Sequence, residues 1–118
     1  MELVAFVGDD KENWGQISAL IKRSDAESIY LVAKKGVDGF PRDDRTQIVE
    51  VDSSKGILEL KKEIVEKMRT KLSGDFEVSL SLASGNGKEH MALISALLSV
   101  PVGIRIVVFT KDGIEHIN

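Results

Sequence analysis

The alternation of short apolar runs with segments of helical period restricts the fold of this chain more than any single motif. Glu2–Gly8 carries Leu3-Val4-Ala5-Phe6-Val7 and closes on Gly8. A strand that is apolar on successive residues is covered on both faces, as in a parallel sheet. Residues 12–23 then place Trp14, Ile17, Leu20 and Ile21 at helical spacing, behind Asp9 and Asp10 as candidate N-caps. Ser28–Val32 reads as a second strand and Gln47–Val51 as a short third. Asp52, Ser53 and Ser54 are capping residues ahead of a helix over 57–72, whose apolar positions are Ile57, Leu60, Ile64, Met68 and Leu72. Its charges, among them the i, i+4 pairs Lys62–Glu66 and Glu63–Lys67, read as a solvated face.

Asp75 precedes a fourth strand, Phe76–Ala83, and an apolar helix follows over Lys88–Ser99. That helix has Met91, Ile94, Leu97 and Leu98 on one side, with Ala92, Ser95 and Ala96 small enough for close packing. Ile104–Phe109 is a fifth strand. Ile114–Ile117 is a short sixth, antiparallel to it across Lys111-Asp112-Gly113, where Asp-Gly supplies the positive φ angles of a two-residue turn. With right-handed crossovers this order predicts an α/β fold, a Rossmann-like three-layer sandwich. Its sheet is mostly parallel and six-stranded, in the order 3-2-1-4-5-6, with a C-terminal antiparallel hairpin. The 118 residues read as a single domain, 1–118. Residues 33–46, with Gly36, Gly39, Pro41 and the charged run Arg42 to Arg45, read as a surface loop with one helical turn before Gly39.

Composition excludes several classes. The chain has no cysteine, so disulfides and thiolate metal sites are ruled out. No apolar run approaches the ~20 residues needed to cross a bilayer. The start, Met1-Glu2-Leu3-Val4, lacks a basic leader and enters the fold at once, so no signal peptide is expected and a cytoplasmic location is. A net charge of −3 argues against direct, sequence-blind binding to DNA or RNA, though a few local donors suffice for a small anionic ligand.

In a sheet of order 3-2-1-4-5-6 the first and fourth strands meet at the topological switch point, where ligands bind at the carboxyl ends of the strands. The loops richest in glycine and polar groups follow these two strands. Ser84-Gly85-Asn86-Gly87-Lys88 leads into a helix: glycines let backbone N–H groups approach a phosphate, the helix start is electropositive, Ser84 offers a hydroxyl and Lys88 a full charge. The alternative is a plain capping turn. It is not a P-loop, because Glu89 stands where Ser or Thr would hold magnesium. It is not a dinucleotide fingerprint, because His90 stands where the third glycine belongs. Gly8-Asp9-Asp10-Lys11 forms the other loop, where an aspartate either caps the helix or accepts from a ribose 2′-hydroxyl. A Mg²⁺ site there lacks a third ligand. His90 and His116 are too far apart in sequence to suggest a metal site and read as surface residues. Trp14 and Tyr30 are read as core packing rather than base stacking, and Met68 and Met91 as core.

With strand one ending Val7-Gly8-Asp9-Asp10, strand four running into Ser84-Gly85-Asn86-Gly87-Lys88, and a closing hairpin, the chain resembles the CARF family, the CRISPR-associated Rossmann-fold domains. From the residues themselves no cofactor, no metal and no membrane are expected. The resemblance implies a two-fold homodimer that binds a cyclic oligoadenylate across its axis. It implies ligand contacts from Gly8, Asp9, Asp10 and Lys11 on one loop and Ser84, Gly85, Asn86, Gly87 and Lys88 on the other. It also implies that a stand-alone member acts as sensor or sink in CRISPR-linked antiviral signalling, or as a metal-independent ring nuclease. In the latter, Lys88 would stabilise charge on the cleaved phosphate. The first loop has no Ser or Thr, which sets binding ahead of cleavage. An interaction module of the same fold without a nucleotide is the third expectation. Dimerisation is expected through the helix after strand four and the closing hairpin. Lys34, Lys35, Arg42 and Arg45 make the 33–46 loop an electrostatic contributor.

Overall fold

The computed structural model describes residues 1–37, 39–40, 43–72 and 76–118. Among these, six strands form one sheet in the order β3-β2-β1-β4-β5-β6. They are β1 (Glu2–Val7), β2 (Ser28–Lys34), β3 (Thr46–Val51), β4 (Glu77–Ser81), β5 (Gly103–Thr110) and β6 (Gly113–His116). The first five run parallel and β6 returns antiparallel on β5, which is the predicted topology.

The helices are α1 (Trp14–Arg23), α2 (Ile57–Met68) and α3 (Gly87–Ser99). Strand alternation sorts the core into two layers. Val4, Phe6, Tyr30, Val32, Val78 and Leu80 face α2 and α3, meeting Leu60, Ile64, Met68, Leu93 and Leu97. Leu3, Ala5, Val7, Ile29 and Leu31 face the other way, meeting Ile17, Leu20 and Ile21 of α1 and Phe40. Every residue of β1 is buried: Leu3–Val7 as their unbroken apolar run requires, and Glu2 with them.

Several expectations need correction. On α3 the buried stripe is Glu89, Ala92, Leu93, Ala96 and Leu97, while Met91 and Leu98 are 62% and 59% exposed. The helix turns Ala92, Leu93, Ala96 and Leu97 into the core shared with the sheet and α2, which leaves Met91 and Leu98 on its outer side. Strand β4 starts one residue late, with Phe76 97% exposed, and ends at Ser81. It stops early because Leu82 and Ala83 leave the sheet to carry Ser84 toward β1. Strand β2 instead runs two residues past Val32, held on both sides by Val7↔Ala33 and Lys34↔Val51. The helical turn expected before Gly39 is replaced by this extension and a turn at Lys35-Gly36. The helix expected over 57–72 ends at Met68. Its N-cap is Gly56, while Asp52 closes a local turn on Ser54 instead. In the β5–β6 hairpin Lys111 and Asp112 are the central residues and Thr110 pairs with Gly113. Within the hairpin Gly113 alone takes a positive φ, +113°, and the register stays one-to-one from Val107↔His116 to Thr110↔Gly113, so the turn closes on the glycine rather than through positive φ at both Asp112 and Gly113. Pro41, Arg42 and Asp75 lie outside the described residues.

One feature of the sheet was not signalled by pattern. Beyond Ile106, β5 has outgrown β4. The side-chain amide of Gln16 takes the missing partner's place: Nε2 donates to the Phe109 carbonyl at 2.7 Å and Oε1 accepts from its N–H at 2.9 Å. Two backbone groups that would lack partners are thereby satisfied by one side chain.

Candidate functional site

The segments leaving β1 and β4 converge at the carboxyl edge of the sheet. The Ser84 hydroxyl, wholly buried, accepts from the Gly8 N–H at 2.9 Å and donates to Asp10 Oδ1 at 2.6 Å. The Gly85 N–H donates to both Asp10 oxygens, at 3.1 and 3.2 Å, and Asn13 Nδ2 donates to Oδ2 at 2.8 Å. The approach is close enough to demand glycine. A Cβ on Gly8 would lie 2.9 Å from Asp10 Oδ1 and 3.1 Å from Gly85 Cα. Gly85 has φ +103°, and a Cβ there would lie 2.9 Å from Phe6 Cδ1.

The loop after β4 therefore has the hydroxyl and amide donors expected of an anion cradle, and the chain's own Asp10 carboxylate fills it. Partial burial pushes the Asp10 carboxyl up, but hydrogen bonds from Asn13, Ser84 and the Gly85 N–H outweigh that and hold it below the ordinary range. Asp10 is thus neither a side-chain cap nor a free acceptor for a ribose. A three-residue 3₁₀ turn, Lys11–Asn13, separates it from α1, so the helix predicted from residue 12 is split.

Asn86 is the N-cap of α3 and forms a reciprocal box with Glu89: its side chain accepts from the Glu89 N–H, and the Glu89 carboxylate accepts from the Asn86 N–H. Glu89, 3% exposed, is buried by this role. His90 Nε2 lies 2.7 Å from the Ser84 carbonyl. A carbonyl only accepts, so Nε2 carries the proton there. His90 thus braces the loop rather than facing solvent. Gly87 opens the helix with nothing near its Cβ position.

Lys88 does not point its charge at the cradle. Its Nζ donates to the carbonyls of Ser53 and Lys55, at 2.7 and 2.8 Å, lashing the start of α3 to the loop between β3 and α2. Arg45 is likewise structural: its guanidinium donates to the carbonyls of Ile21, Ser24 and Ala26 at the end of α1. Tyr30 is in the core as read, its hydroxyl donating to the Lys71 carbonyl. His116 Nε2 lies 3.2 Å from the Ser79 hydroxyl in a mostly apolar cleft of about 260 Å³ under the end of α1.

The open cationic surface of the carboxyl edge lies beside the cradle. A cleft of about 300 Å³ between the ends of β1 and β2 is lined by Asp9, Lys11, Trp14, Lys34, Lys35, Gly36 and Val37. Asp9 pairs with Lys34 at 2.7 Å. That bond and the Lys34 charge hold the Asp9 carboxyl below its ordinary value and raise the Lys34 ammonium above its own. Trp14 is only half-buried. Its Nε1–H donates to the Gly8 carbonyl at 2.9 Å and its ring meets Phe40 edge-on at 5.2 Å. Lys34 and Lys35 had been legible only as members of a charged loop, and nothing in the pattern placed Trp14 beside them.

Among the described residues no three His, Cys, Asp or Glu side chains gather as a metal ion would require, and no helix is long and apolar enough to cross a membrane. No family model matches the chain, and a search of curated proteins finds no match.

Proposed function

We propose that this domain binds a phosphate-bearing nucleotide at the carboxyl edge of its sheet, with a cyclic oligoadenylate as the ligand implied by its resemblance to CARF domains. The observation that carries the reading is the convergence of the β1 and β4 loops at the switch point, bonded through Ser84, Asp10, Gly8 and Gly85, with a lysine-lined cleft alongside. On this reading the domain is a stand-alone sensor or sink in CRISPR-linked antiviral signalling, located in the cytoplasm. Binding is proposed ahead of ring cleavage because the Lys88 ammonium is committed to two carbonyls, the β1 loop carries no Ser or Thr, and its Asp9 and Asp10 carboxylates are both paired rather than free to take a proton from a ligand 2′-hydroxyl. The proposed homodimer would use the apolar side chains left exposed on α3 and the hairpin: Met91, Leu98, Ile114 and Ile117.

A second reading, an interaction module with no nucleotide, has one observation in its favour: the cradle donors already hold Asp10. Incubation of the purified protein with labelled cyclic tetra-adenylate separates the readings. Retention of intact ligand supports the sensor. Conversion to a linear product supports the ring nuclease, and no retention supports the interaction module. Light scattering at micromolar concentration tests the dimer, and a monomer with full ligand retention would remove the shared site.

A further inference from the structure

We infer that the cleft between the ends of β1 and β2 is the phosphate subsite of this edge, with Lys11, Lys34 and Lys35 as its cations and Trp14 as the wall for an aromatic base. The inference rests on the nucleotide reading above and names the residues that would serve it. The two anion-binding features expected at the β4 loop are both taken: the Ser84 and Gly85 donors by Asp10, the Lys88 ammonium by the Ser53 and Lys55 carbonyls.

In the cleft the position is reversed. Three ammonium groups face one carboxylate, Asp9, which neutralises only Lys34. The Asp9–Lys34 pair is exposed, with side-chain accessibilities of 77% and 41%, so a phosphate can take over Lys34 at little cost. Lys35 makes no ion pair among the described residues. The more distant charges are Asp52, which senses Lys35, and Glu89, whose charge favours the Lys34 ammonium; Glu89 is held in the α3 capping box. The volume, about 300 Å³, lies at the lower end of small-molecule sites, which suits one nucleotide unit rather than a whole ring. Trp14 supplies a fixed aromatic surface, pinned by Gly8 and Phe40, and nucleobases stack on such surfaces without sequence preference.

Trp14 is the single tryptophan of the chain, and the Lys11 ammonium stands 5.6 Å from its ring centroid. Its emission therefore reports on occupancy of this cleft. The full chain is titrated with AMP, adenosine and cyclic tetra-adenylate, following Trp14 fluorescence and, in parallel, heat by calorimetry. AMP is expected to shift the emission and saturate, with adenosine at least ~10-fold weaker and AMP affinity falling steeply with salt. Lys34→Ala with Lys35→Ala is expected to weaken AMP at least ~10-fold, and Asp9→Asn to tighten it ~3-fold or more by freeing Lys34. Asp9 and Lys35 are exposed and Lys34 half-buried, and the Asp9–Lys34 pair is a surface one, so the variants should stay folded with only a small drop in melting temperature. Equal affinity for adenosine and AMP, unchanged affinity in the double lysine variant, weaker binding in Asp9→Asn, or no AMP binding would each overturn the inference. AMP binding as described without binding of cyclic tetra-adenylate leaves the subsite standing and removes the cyclic ligand. Cyclic tetra-adenylate held equally by parent and double lysine variant removes the subsite and leaves the cyclic ligand.

Discussion

Replacing Ser84 by alanine tests whether the β1 and β4 loops are held together as described. The hydroxyl serves two partners from a wholly buried position, accepting from the Gly8 N–H and donating to the Asp10 carboxylate. Without it the buried Gly8 N–H has no acceptor, which costs ~1–3 kcal/mol, and a hydrogen bond to a charged group worth ~1.5–3 kcal/mol is lost. The Asp10 carboxylate keeps the Gly85 and Asn13 donors, so the two losses overlap, and the total is expected at about 2–4 kcal/mol. At a urea m value of ~1.5 kcal/mol/M, that moves the unfolding midpoint down by roughly 1.3–2.7 M. Urea titrations of parent, Ser84→Ala, Asp10→Ala and the double variant form a cycle, in which a coupling of about 1–2 kcal/mol is expected because the residues share one bond. A loss under ~0.5 kcal/mol for Ser84→Ala, or additive single losses, would show that the two loops do not depend on this bond.

Four further outcomes are expected. Lys88→Ala should lower stability by ~1–3 kcal/mol, through two lost charge-assisted bonds, and leave AMP affinity within about twofold; an unchanged melt with abolished binding would return Lys88 to the ligand site. Gly85→Ala should destabilise by at least ~2 kcal/mol in a thermal melt, since the Cβ meets both a positive φ and the Phe6 ring; a neutral result would mean that the backbone is not held there. Gln16→Ala should cost ~1–3 kcal/mol by stranding the Phe109 N–H and carbonyl, with hydrogen exchange at Phe109 as the local measure.

The last concerns acid. Hydrogen bonding lowers the carboxyl pKa of Asp9 (from Lys34), Asp43 (from Arg45) and Asp52 (from Ser54). For Asp10 and Glu63 partial burial acts upward, but the hydrogen bonds outweigh it. All five therefore bind fewer protons folded than unfolded near their ordinary values. Their stabilisation is complete above the ordinary carboxyl range, ~4, and is lost as pH falls through the lowered folded values. Urea midpoints should stay level from about pH 7 to 5 and drop below about pH 4, with a shallower drop in Asp10→Asn. Stability that rises on acidification would contradict the assignment.

The residue pattern alone determined the strand and helix order and the sheet topology. An unbroken apolar β1 needs cover on both faces, and right-handed crossovers then leave few arrangements. The pattern also marked the two loops that meet at the carboxyl edge. It did not determine which face of α3 is inward: apolar Met91, Leu93, Leu97 and Leu98 and small Ala92 and Ala96 leave several stripes open, and only packing against the sheet and α2 selects Ala92, Leu93, Ala96 and Leu97. Beyond the i, i+4 pair Glu63–Lys67, it did not determine the partners of the charges. Lys88, Arg45 and Asp10 carry the residue types of a ligand site, but each is bound to groups 20 or more residues away along the chain. Local sequence carries no record of a bond across such separations, because tertiary packing creates the proximity. The Lys34–Lys35–Trp14 cleft arises for the same reason, from two strand ends set side by side by the register of β1 on β2.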